Sequence, residues 1–368
     1  MPPYPFSNHP VRVEPYFGYR SQTTLHVSGR ALRSAKAKFA AGGRRQAMRT
    51  MISQFVSHEV PGLPVTLQLT CPKGAAHSHL ATTDAEGFVR FEIELDDWRF
   101  PPAPTWEAVS LHWNDGASSQ SVNGHVLAPG EGTQLGVISD IDDTIIETGI
   151  TGNVRAILRN WKRVLAQMPE ERAQVPDADI FYNALGGNAP PMPGLRRSSD
   201  EHPAPTDRPF FYVSSSPWNL YSYLVAYKKV RGLPLGPIAL RDWGLNRETF
   251  GSGSHGAHKR RAIEKILATY PAMQFALIGD DTQGDLTAFN GIVTDYPDRI
   301  AAIFIRTAGE QFSPEEALAK ANIEASEVPL WLGPDFSTGE EFLNATGLDK
   351  DSDATHIVET IESKLKAD

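Results

Sequence analysis

Polar and apolar residues alternate over much of the first third of the chain. In the segment LPVTLQLTCP, Val65, Leu67 and Leu69 fall on one face of an extended backbone, which predicts a half-buried strand. Further strand-like runs cover residues 23–32, 106–113 and 121–129, and two more lie within residues 76–97. Regular short strands separated by turn signals predict a small sandwich-like, β-rich domain over residues 1–134.

Glycine-containing turns divide these strands. Asp84–Gly87 separates two alternating runs and predicts a tight turn. Gly29 follows the apolar run TTLHVS and predicts a second turn there.

The pattern changes after the linker APGEGTQ at residues 128–134. From there, continuous apolar runs replace alternation, and segments with helical spacing at residues 154–168, 218–230 and 258–270 separate several of them. Continuous runs are typical of strands buried on both faces of a parallel sheet, and alternating strands and helices indicate an α/β fold. The runs are LGVISD, RPFFYVSSS, LGPIALRD, MQFALIGDD and RIAAIFIRT. We therefore expect a second domain over residues 135–368, and a chain of 368 residues favours two domains.

Residues 185–209 form a long insertion rich in proline, glycine and charge. Such a segment between regular elements predicts a surface loop or a lid.

Composition narrows the range of partners. The net charge of −9 provides no overall basic field to attract nucleic acid. No apolar run approaches the roughly 20 residues that a membrane-spanning helix needs, and residues 1–20 lack the apolar core of a secretory signal. We therefore expect a cytoplasmic protein with at most peripheral membrane contact. Its candidate docking segment is basic and apolar, with Arg44, Arg45, Arg49, Met48, Met51, Ile52 and Phe55.

Three aspartates follow the first apolar run of the second region. In GVISDIDDT, Asp140, Asp142 and Asp143 stand directly after a predicted buried strand. Like charges at the edge of a core repel one another and lose hydration, so an isolated turn or capping role is the weaker interpretation. A second acidic cluster ends another strand in ALIGDDTQGD, with Asp280, Asp281 and Asp285. Ligands of open α/β sheets bind at such strand ends, and carboxylate oxygens suit Mg²⁺.

Two further segments carry groups that bind anions. FFYVSSSPWN ends in Ser214, Ser215 and Ser216, and the following proline makes Ser216 a candidate helix cap. Hydroxyls and free N–H groups at a strand-to-helix junction form an anion site. Lys259 lies near the start of a predicted helix and can reach a phosphate; the alternative is a solvated helix face, because several other bases surround it. His258 is interpreted as a surface imidazole rather than a zinc ligand, since no matching set of ligands exists.

These residues carry a resemblance. Asp140-Ile-Asp142-Asp-Thr144 resembles the first motif of the haloacid dehalogenase superfamily, whose second, third and fourth motifs are matched in order. The matching residues are Ser214, Lys259, and Asp280 with Asp285. More closely, SDIDDTIIETGITG, FFYVSSSPWNLYSYL and LIGDDTQGDLTAF resemble the actin-patch-type phosphatidate phosphatases and their bacterial relatives. The resemblance implies a haloacid-dehalogenase-like Rossmannoid parallel sheet over the second domain.

The resemblance also implies roles for the site residues. Asp140 would attack phosphorus and form an aspartyl-phosphate, while Asp142 would act as general acid and then general base. Mg²⁺ would be held by Asp140, the backbone carbonyl of Asp142, Asp280 and, directly or indirectly, Asp285. The phosphoryl oxygens would be bound by Lys259 and by Ser214 or Ser215, and Thr144 would brace the loop beside them.

The function that follows from the resemblance is a Mg²⁺-dependent phosphatase. Its substrate would be phosphatidate or a related phospholipid monoester, and its products diacylglycerol and phosphate. Two alternatives stay open at this point: a phosphatase of a soluble phosphomonoester, and a lipid- or protein-binding scaffold without enzymatic activity.

Overall fold

The computed structural model describes most of the chain in ten segments. They are residues 10–33, 58–70, 74–96, 98–116, 118–146, 174–187, 205–241, 253–282, 284–307 and 311–348. Within these segments, no helix is both long and apolar enough to cross a membrane.

The first region forms a nine-stranded sheet. Its strands are β1 (Val11–Pro15), β2 (Gly18–Arg20), β3 (Thr24–Arg33), β4 (His58–Glu59), β5 (Pro64–Thr70), β6 (Ala76–Thr82), β7 (Phe88–Glu94), β8 (Thr105–Asn114) and β9 (Ser119–Ala128). The main order is β1-β3-β2-β9-β8-β5-β6, and β4 and β7 also pair with β3. Hydrogen bonding joins into one sheet the strands that we expected to form a sandwich. Side chains from β1, β3, β5, β7 and β8 share one apolar core.

The turn predicted at Gly29 is wrong, whereas the turn at Asp84–Gly87 is confirmed. Strand β3 continues through Gly29, which pairs with Pro15 on one side and Val89 on the other. A Cβ atom at residue 29 would lie 2.9 Å from the carbonyl oxygen of Glu14. The glycine therefore permits close backbone approach within the sheet rather than a change of direction.

The second region is an α/β unit built on a parallel sheet. Its strands are β10 (Leu135–Ser139), β11 (Phe210–Pro217), β12 (Ile238–Arg241), β13 (Gln274–Asp280), β14 (Ile300–Arg306) and β15 (Leu330–Gly333). Its helices are α1 (Ala178–Leu185), α2 (Tyr221–Val230), α3 (Gly253–Thr269), α4 (Asp285–Asp295), α5 (Pro314–Ala325) and α6 (Gly339–Thr346). The strand order is β12-β11-β10-β13-β14-β15, and every recorded pairing is parallel. The predicted α/β fold with a parallel sheet is confirmed.

Apolar packing covers both faces of this sheet. On β11, Phe210 and Tyr212 join the core that contains helices α1 and α2. Phe211 and Val213 join the core of helices α3 and α4 on the other face. Because both faces are buried, the polar ends of the strands are where chemistry can meet solvent. Of the two central strands, β10 ends at Ser139, directly before Asp140, and β13 ends at Asp280.

The two regions contact each other through aromatic rings, hydrogen bonds and an ion pair. Tyr16 stacks on Trp218 with ring centroids 4.5 Å apart, and the backbone N–H of Phe17 donates to the Tyr221 hydroxyl at 2.6 Å. The Lys265 ammonium lies 2.9 Å from a Glu92 carboxylate oxygen. A crevice with a volume of about 340 Å³ lies beside these contacts. The division of the chain into domains at residue 134 stays a prediction.

Several sequence expectations fall outside the described residues. They are the basic docking segment within 34–57, the helix expected at 154–168, and residues 188–204 of the insertion. The first residue of that insertion, Leu185, is the last residue of helix α1.

Candidate active site

The loop after β10 begins the site. Strand β10 ends at Ser139, and the backbone N–H of Asp140 still donates to the Ile278 carbonyl at 2.8 Å. Asp143 then adopts a left-handed conformation with φ of 57°. The N–H of Ile145 returns to the carbonyl of Ile141 at 3.0 Å. The chain thus leaves the strand and turns tightly beside the edge of the sheet.

Three buried carboxylates converge at this edge. Each of Asp140, Asp280 and Asp285 offers an oxygen, and these oxygens lie within 4.8 Å of one another. Asp140 is 3% exposed, and the other two are fully buried. The prediction that the two acidic strand ends meet is confirmed. Asp143 and Asp281 do not join the group, which corrects their place in the sequence clusters.

Gly279 makes the approach of Asp285 possible. A Cβ atom at residue 279 would lie 2.5 Å from Oδ2 of Asp285 and 2.7 Å from its Cβ, distances that packed atoms do not reach. Asp285 is the first residue of helix α4, and its Oδ2 accepts the backbone N–H of Asp280 at 3.1 Å. The glycine therefore brings the end of β13 and the start of α4 together.

Lys259 enters the carboxylate group from helix α3. Its ammonium nitrogen lies 2.9 Å from Oδ1 of Asp140 and 2.5 Å from Oδ1 of Asp285, and the residue is 1% exposed. The neighbouring bases of the helix point elsewhere: Arg260 pairs with Glu264 and Lys265 with Glu92. Among the bases of α3, Lys259 alone is buried against carboxylates, so the solvated-face alternative is wrong for this residue.

Two threonines complete the hydrogen bonding around the carboxylates. The Thr144 hydroxyl lies 3.3 Å from Oδ2 of Asp140 and 3.3 Å from Oδ2 of Asp280, so it can donate to either. The backbone N–H of Thr282 donates to Oδ1 of Asp280 at 2.5 Å, and its hydroxyl contacts the same oxygen. Thr144 thus braces the loop, as expected, while sequence reasoning missed Thr282.

Burial and mutual repulsion shift the protonation of this group. Burial raises the pKa of Asp140 well above its usual range, against the lowering effect of Lys259. Burial and then the Asp285 charge raise the pKa of Asp280 to about 7. Burial lowers the pKa of Lys259, but Asp140 and Asp285 outweigh it and hold the pKa above its ordinary value. These shifts favour the charged form of Lys259 and disfavour ionisation of Asp140 and Asp280 unless further positive charge is bound beside them.

The residues present fit a hard divalent cation. When all three carboxyl groups are ionised, they place three negative charges against one ammonium, and the two uncompensated charges equal the charge of one divalent ion. Oδ1 of Asp140 is buried and makes no hydrogen bond of acceptable geometry, although Lys259 lies 2.9 Å away. An all-oxygen donor set suits Mg²⁺ rather than zinc.

Asp142 points toward β11 instead of the carboxylate group. Its Oδ2 accepts the hydroxyl of Ser214 at 2.6 Å and the hydroxyl of Ser216 at 2.7 Å. The prediction of Ser216 as a helix cap is wrong, because the following 3₁₀ turn (Trp218–Leu220) has Pro217 as its N-cap residue and no side-chain cap. The i, i+2 spacing in a strand was the available signal that Ser214 and Ser216 share a face.

The other predicted side chains have defined places. Ser215 is buried beside this pair, and the choice between Ser214 and Ser215 as phosphate ligand stays a prediction. His258 is not a surface imidazole: it lines the crevice, and burial, followed by the Arg241 and Arg261 charges, lowers its pKa to about 4.

Known proteins share the segment that builds this site. Residues 135–307 match the family model described as the catalytic domain of phosphatidate phosphatase APP1. Phosphatidate phosphatase APP1 of Saccharomyces cerevisiae is 29% identical over 295 residues, covering 76% of this chain and 45% of the yeast protein. The part of the chain that builds the site is therefore similar to the catalytic domain of that phosphatase. The chain spans less than half the length of the yeast protein.

Solved structures add nothing to this similarity. A β-glucuronidase of Parabacteroides merdae is 8% identical, with a TM-score of 0.27, over 88% of this chain and 38% of that one. A β-glucuronidase of Bifidobacterium dentium is 10% identical, with a TM-score of 0.22, over 88% and 60%. Similarity this low carries no argument about fold or function.

Proposed function

We propose that this protein is a Mg²⁺-dependent phosphatase that hydrolyses phosphatidate, or a related phospholipid monoester, to diacylglycerol and phosphate. The observation that carries the proposal is the buried group of Asp140, Asp280 and Asp285 around Lys259. This group lies inside the segment that matches the phosphatidate phosphatase family. We further assign the parallel sheet to the haloacid dehalogenase superfamily, on the order of its four motifs.

In the first chemical step, a carboxylate oxygen of Asp140 attacks phosphorus. The bond from phosphorus to the ester oxygen breaks, and an aspartyl-phosphate forms. Asp142 gives its proton to the departing alkoxide, so the diacylglycerol leaves as a neutral alcohol. Lys259, held 2.9 Å from Asp140, stabilises the negative charge of the phosphoryl oxygens.

In the second step, water hydrolyses the aspartyl-phosphate. Asp142, now a carboxylate, takes a proton from the water as it attacks phosphorus, and the bond from phosphorus to Asp140 breaks. Asp142 regains the proton that it lost, and inorganic phosphate leaves. Ser214 or Ser215 would donate to the phosphoryl oxygens in both steps.

Asp140, Asp280 and the backbone carbonyl of Asp142 would hold Mg²⁺, with Asp285 bound directly or through water. When bound, the ion supplies positive charge that neutralises the nucleophile and the phosphate. The chain's own part is to gather the ligands: Gly279 admits Asp285, and Thr144 and Thr282 orient Asp280.

Two features support a lipid rather than a soluble ester. The first is the similarity of this chain to the yeast protein named phosphatidate phosphatase APP1. The second is the crevice of about 340 Å³ between the two sheets, whose walls include Phe17, Tyr19, Phe211 and Trp218. A volume in this range and aromatic walls suit part of an acyl chain. Ala262 also lines the crevice, and the Ala262→Trp change would occupy part of its volume. We expect this variant to show a lower ratio of kcat/KM for long-chain over short-chain phosphatidate. An unchanged ratio would exclude the crevice as the acyl-chain site.

A lipid substrate requires contact with a membrane surface. We propose that the protein acts in the cytoplasm and docks on membranes peripherally, with phosphatidate rather than nucleic acid as its partner. The basic segment around Arg44, Arg45 and Arg49 is our candidate for this docking.

A phosphate-release assay tests the proposed function against both alternatives. Wild type and Asp140→Asn are compared on micellar phosphatidate and on soluble sugar and nucleotide monoesters, with Mg²⁺ and with chelator. We expect wild type with Mg²⁺ to prefer phosphatidate, and either Asp140→Asn or chelator to abolish release. A large preference for soluble esters favours the soluble-ester phosphatase. Liposome binding without release at any Mg²⁺ concentration favours the scaffold.

A further inference from the structure

Two serine hydroxyls converge on one oxygen of Asp142. Ser214 and Ser216 lie two residues apart on β11, so their side chains share a face of the strand. Both hydroxyls donate to Oδ2 of Asp142, at 2.6 Å and 2.7 Å. Both serines are buried, whereas Asp142 is partly exposed. The family motifs account for one serine in this segment, and the second has no assigned duty.

Ser214 cannot keep this contact while it binds substrate. Its oxygen already accepts the backbone N–H of Ser216 at 2.9 Å, and its single proton points to Asp142. A hydroxyl has one proton to donate, so donation to a phosphoryl oxygen removes the Ser214 bond to Asp142. The Ser216 hydroxyl then keeps its hydrogen bond to Oδ2 of Asp142.

We propose that Ser216 is a positioning residue that holds the Asp142 carboxyl during phosphoryl transfer, an inference that rests on the proposed function. A hydroxyl donated to Oδ2 fixes the rotation of the carboxyl group. Oδ1 is then the oxygen that carries the proton and faces the leaving group. In the first step this proton passes from Oδ1 to the departing alkoxide oxygen. In the second step the same oxygen takes one proton from the attacking water.

This role predicts a dependence on the leaving group. An alkoxide must be protonated as it leaves, whereas p-nitrophenolate is stable as an anion and gains little from a general acid. Loss of the Ser216 hydroxyl should therefore slow the release of alcohols more than the release of p-nitrophenol. A serine that only supports packing would lower both rates by the same factor.

The test uses three soluble esters of similar size: p-nitrophenyl, phenyl and benzyl phosphate. Because kcat/KM reports the steps up to the first irreversible one, it isolates transfer to Asp140 from the later hydrolysis. For Ser216→Ala we expect a loss of about tenfold on benzyl phosphate, the factor of one hydrogen bond, and less than about threefold on p-nitrophenyl phosphate. Ser216→Thr, which keeps the hydroxyl, should restore benzyl phosphate turnover to within about threefold of wild type.

The outcomes separate this inference from the proposed function. A steeper dependence on the leaving group in Ser216→Ala, with rescue by threonine and an unchanged melting temperature, supports the positioning role. Equal losses on all three esters, or no loss, overturn it while the phosphatase assignment stands. If wild type releases phosphate from neither these esters nor phosphatidate, the proposed function fails and this inference fails with it.

Discussion

Two lysines lie buried on opposite faces of the parallel sheet, and their surroundings differ. Lys259 on α3 and Lys228 on α2 are each 1% exposed. The Lys259 ammonium lies between Asp140 and Asp285. The Lys228 ammonium lies 3.5 Å from the centre of the Tyr212 ring and makes no hydrogen bond; within the described part of the chain it has no carboxylate partner.

The difference illustrates that carboxylate partners can outweigh the effect of burial on the pKa of a buried lysine. Carboxylates raise the pKa of Lys259 above its ordinary value despite burial. Burial alone lowers the pKa of Lys228 well below its ordinary value, because the ring attraction does not replace the lost hydration. One face of the sheet therefore carries a lysine held between carboxylates, and the other carries a buried amine without a carboxylate partner among the described residues.

Removal of the Lys259 charge has the largest expected effect. Lys259→Met leaves the buried carboxylates without their cation and removes a donor to the phosphoryl group. We expect phosphate release with Mg²⁺ to fall by at least about a hundredfold, and the free energy of unfolding in chelator to fall by about 3–5 kcal/mol. Steady-state assays and urea unfolding measure the two effects.

Lys265→Met is the matched control, because Lys265 lies on the same helix but is exposed and paired with Glu92. We expect its activity to equal that of wild type, with a stability change below about 1 kcal/mol. Equal activity of Lys259→Met and Lys265→Met would remove the basis of the comparison.

Gly279→Ala sharpens the comparison by moving a partner of Lys259 while keeping the lysine. The new methyl group would overlap Asp285, and its displacement breaks the contacts of that carboxylate with Lys259 and the Asp280 N–H. We expect about a tenfold loss of activity and a weaker apparent Mg²⁺ affinity, measured by titration of the rate with Mg²⁺.

The control for this change is Gly256→Ala on α3, where a Cβ has no neighbour closer than 4.0 Å. Activity should not change there, and the helix should gain a few tenths to about 1 kcal/mol. If Gly279→Ala retains full Mg²⁺ affinity, then Asp285 is not part of the metal site.

Lys228→Met tests the other face. Replacement of a buried amine that lacks an ion-pair partner by an apolar side chain of similar length removes its desolvation cost. We expect the free energy of unfolding at pH 7 to rise by about 1–2 kcal/mol, with no change in phosphate release. Destabilisation by this substitution would mean that the amine makes a favourable interaction in the native state.

The pH dependence of stability should also separate the two lysines. Lys228 binds its proton less tightly in the folded state, so the unfolded chain holds more protons as the pH approaches 10.5. Stability from this residue therefore rises with pH, at most by about 1.4 kcal/mol per pH unit. Lys259, with its raised pKa, contributes stability that is lost only above 10.5.

Comparison of Lys228→Met with wild type between pH 7 and pH 10 isolates this effect. Urea unfolding should show the difference in stability between the two proteins shrinking as the pH rises. A constant difference over this window would show that Lys228 has an ordinary pKa.

The sequence predicted the strand ends of the site because motif and periodicity agree there. Asp140 and Asp280 each follow an unbroken apolar run, and parallel strands place such ends at one edge. The burial of Lys259 was harder to predict, since its helix carries several bases and only the packing of α3 distinguishes one of them. Strand β15 was missed because it has four residues between helical segments, too few for a period to emerge.

Contacts that depend on side-chain direction were harder to predict from the sequence. The Ser216 bond to Asp142 needs the exact geometry of β11, whose register with β12 shifts between Val213 and Pro217. The approach of Asp285 to Gly279 joins two elements across a tight turn, and glycine alone does not reveal which neighbour needs the space. Gly29 shows the same ambiguity, since a turn and a close strand contact use the same residue.

The covalent step at Asp140 is the central claim, and acid-quench trapping tests it most directly. Wild type is mixed with substrate and Mg²⁺, quenched in acid within milliseconds, digested and examined by mass spectrometry, with Asp140→Asn as the control. The account predicts a phosphoryl group on the peptide that contains Asp140 in wild type, and no phosphorylated peptide in Asp140→Asn. Phosphate on a different residue, or none in wild type while substrate is consumed under single-turnover conditions, would contradict it.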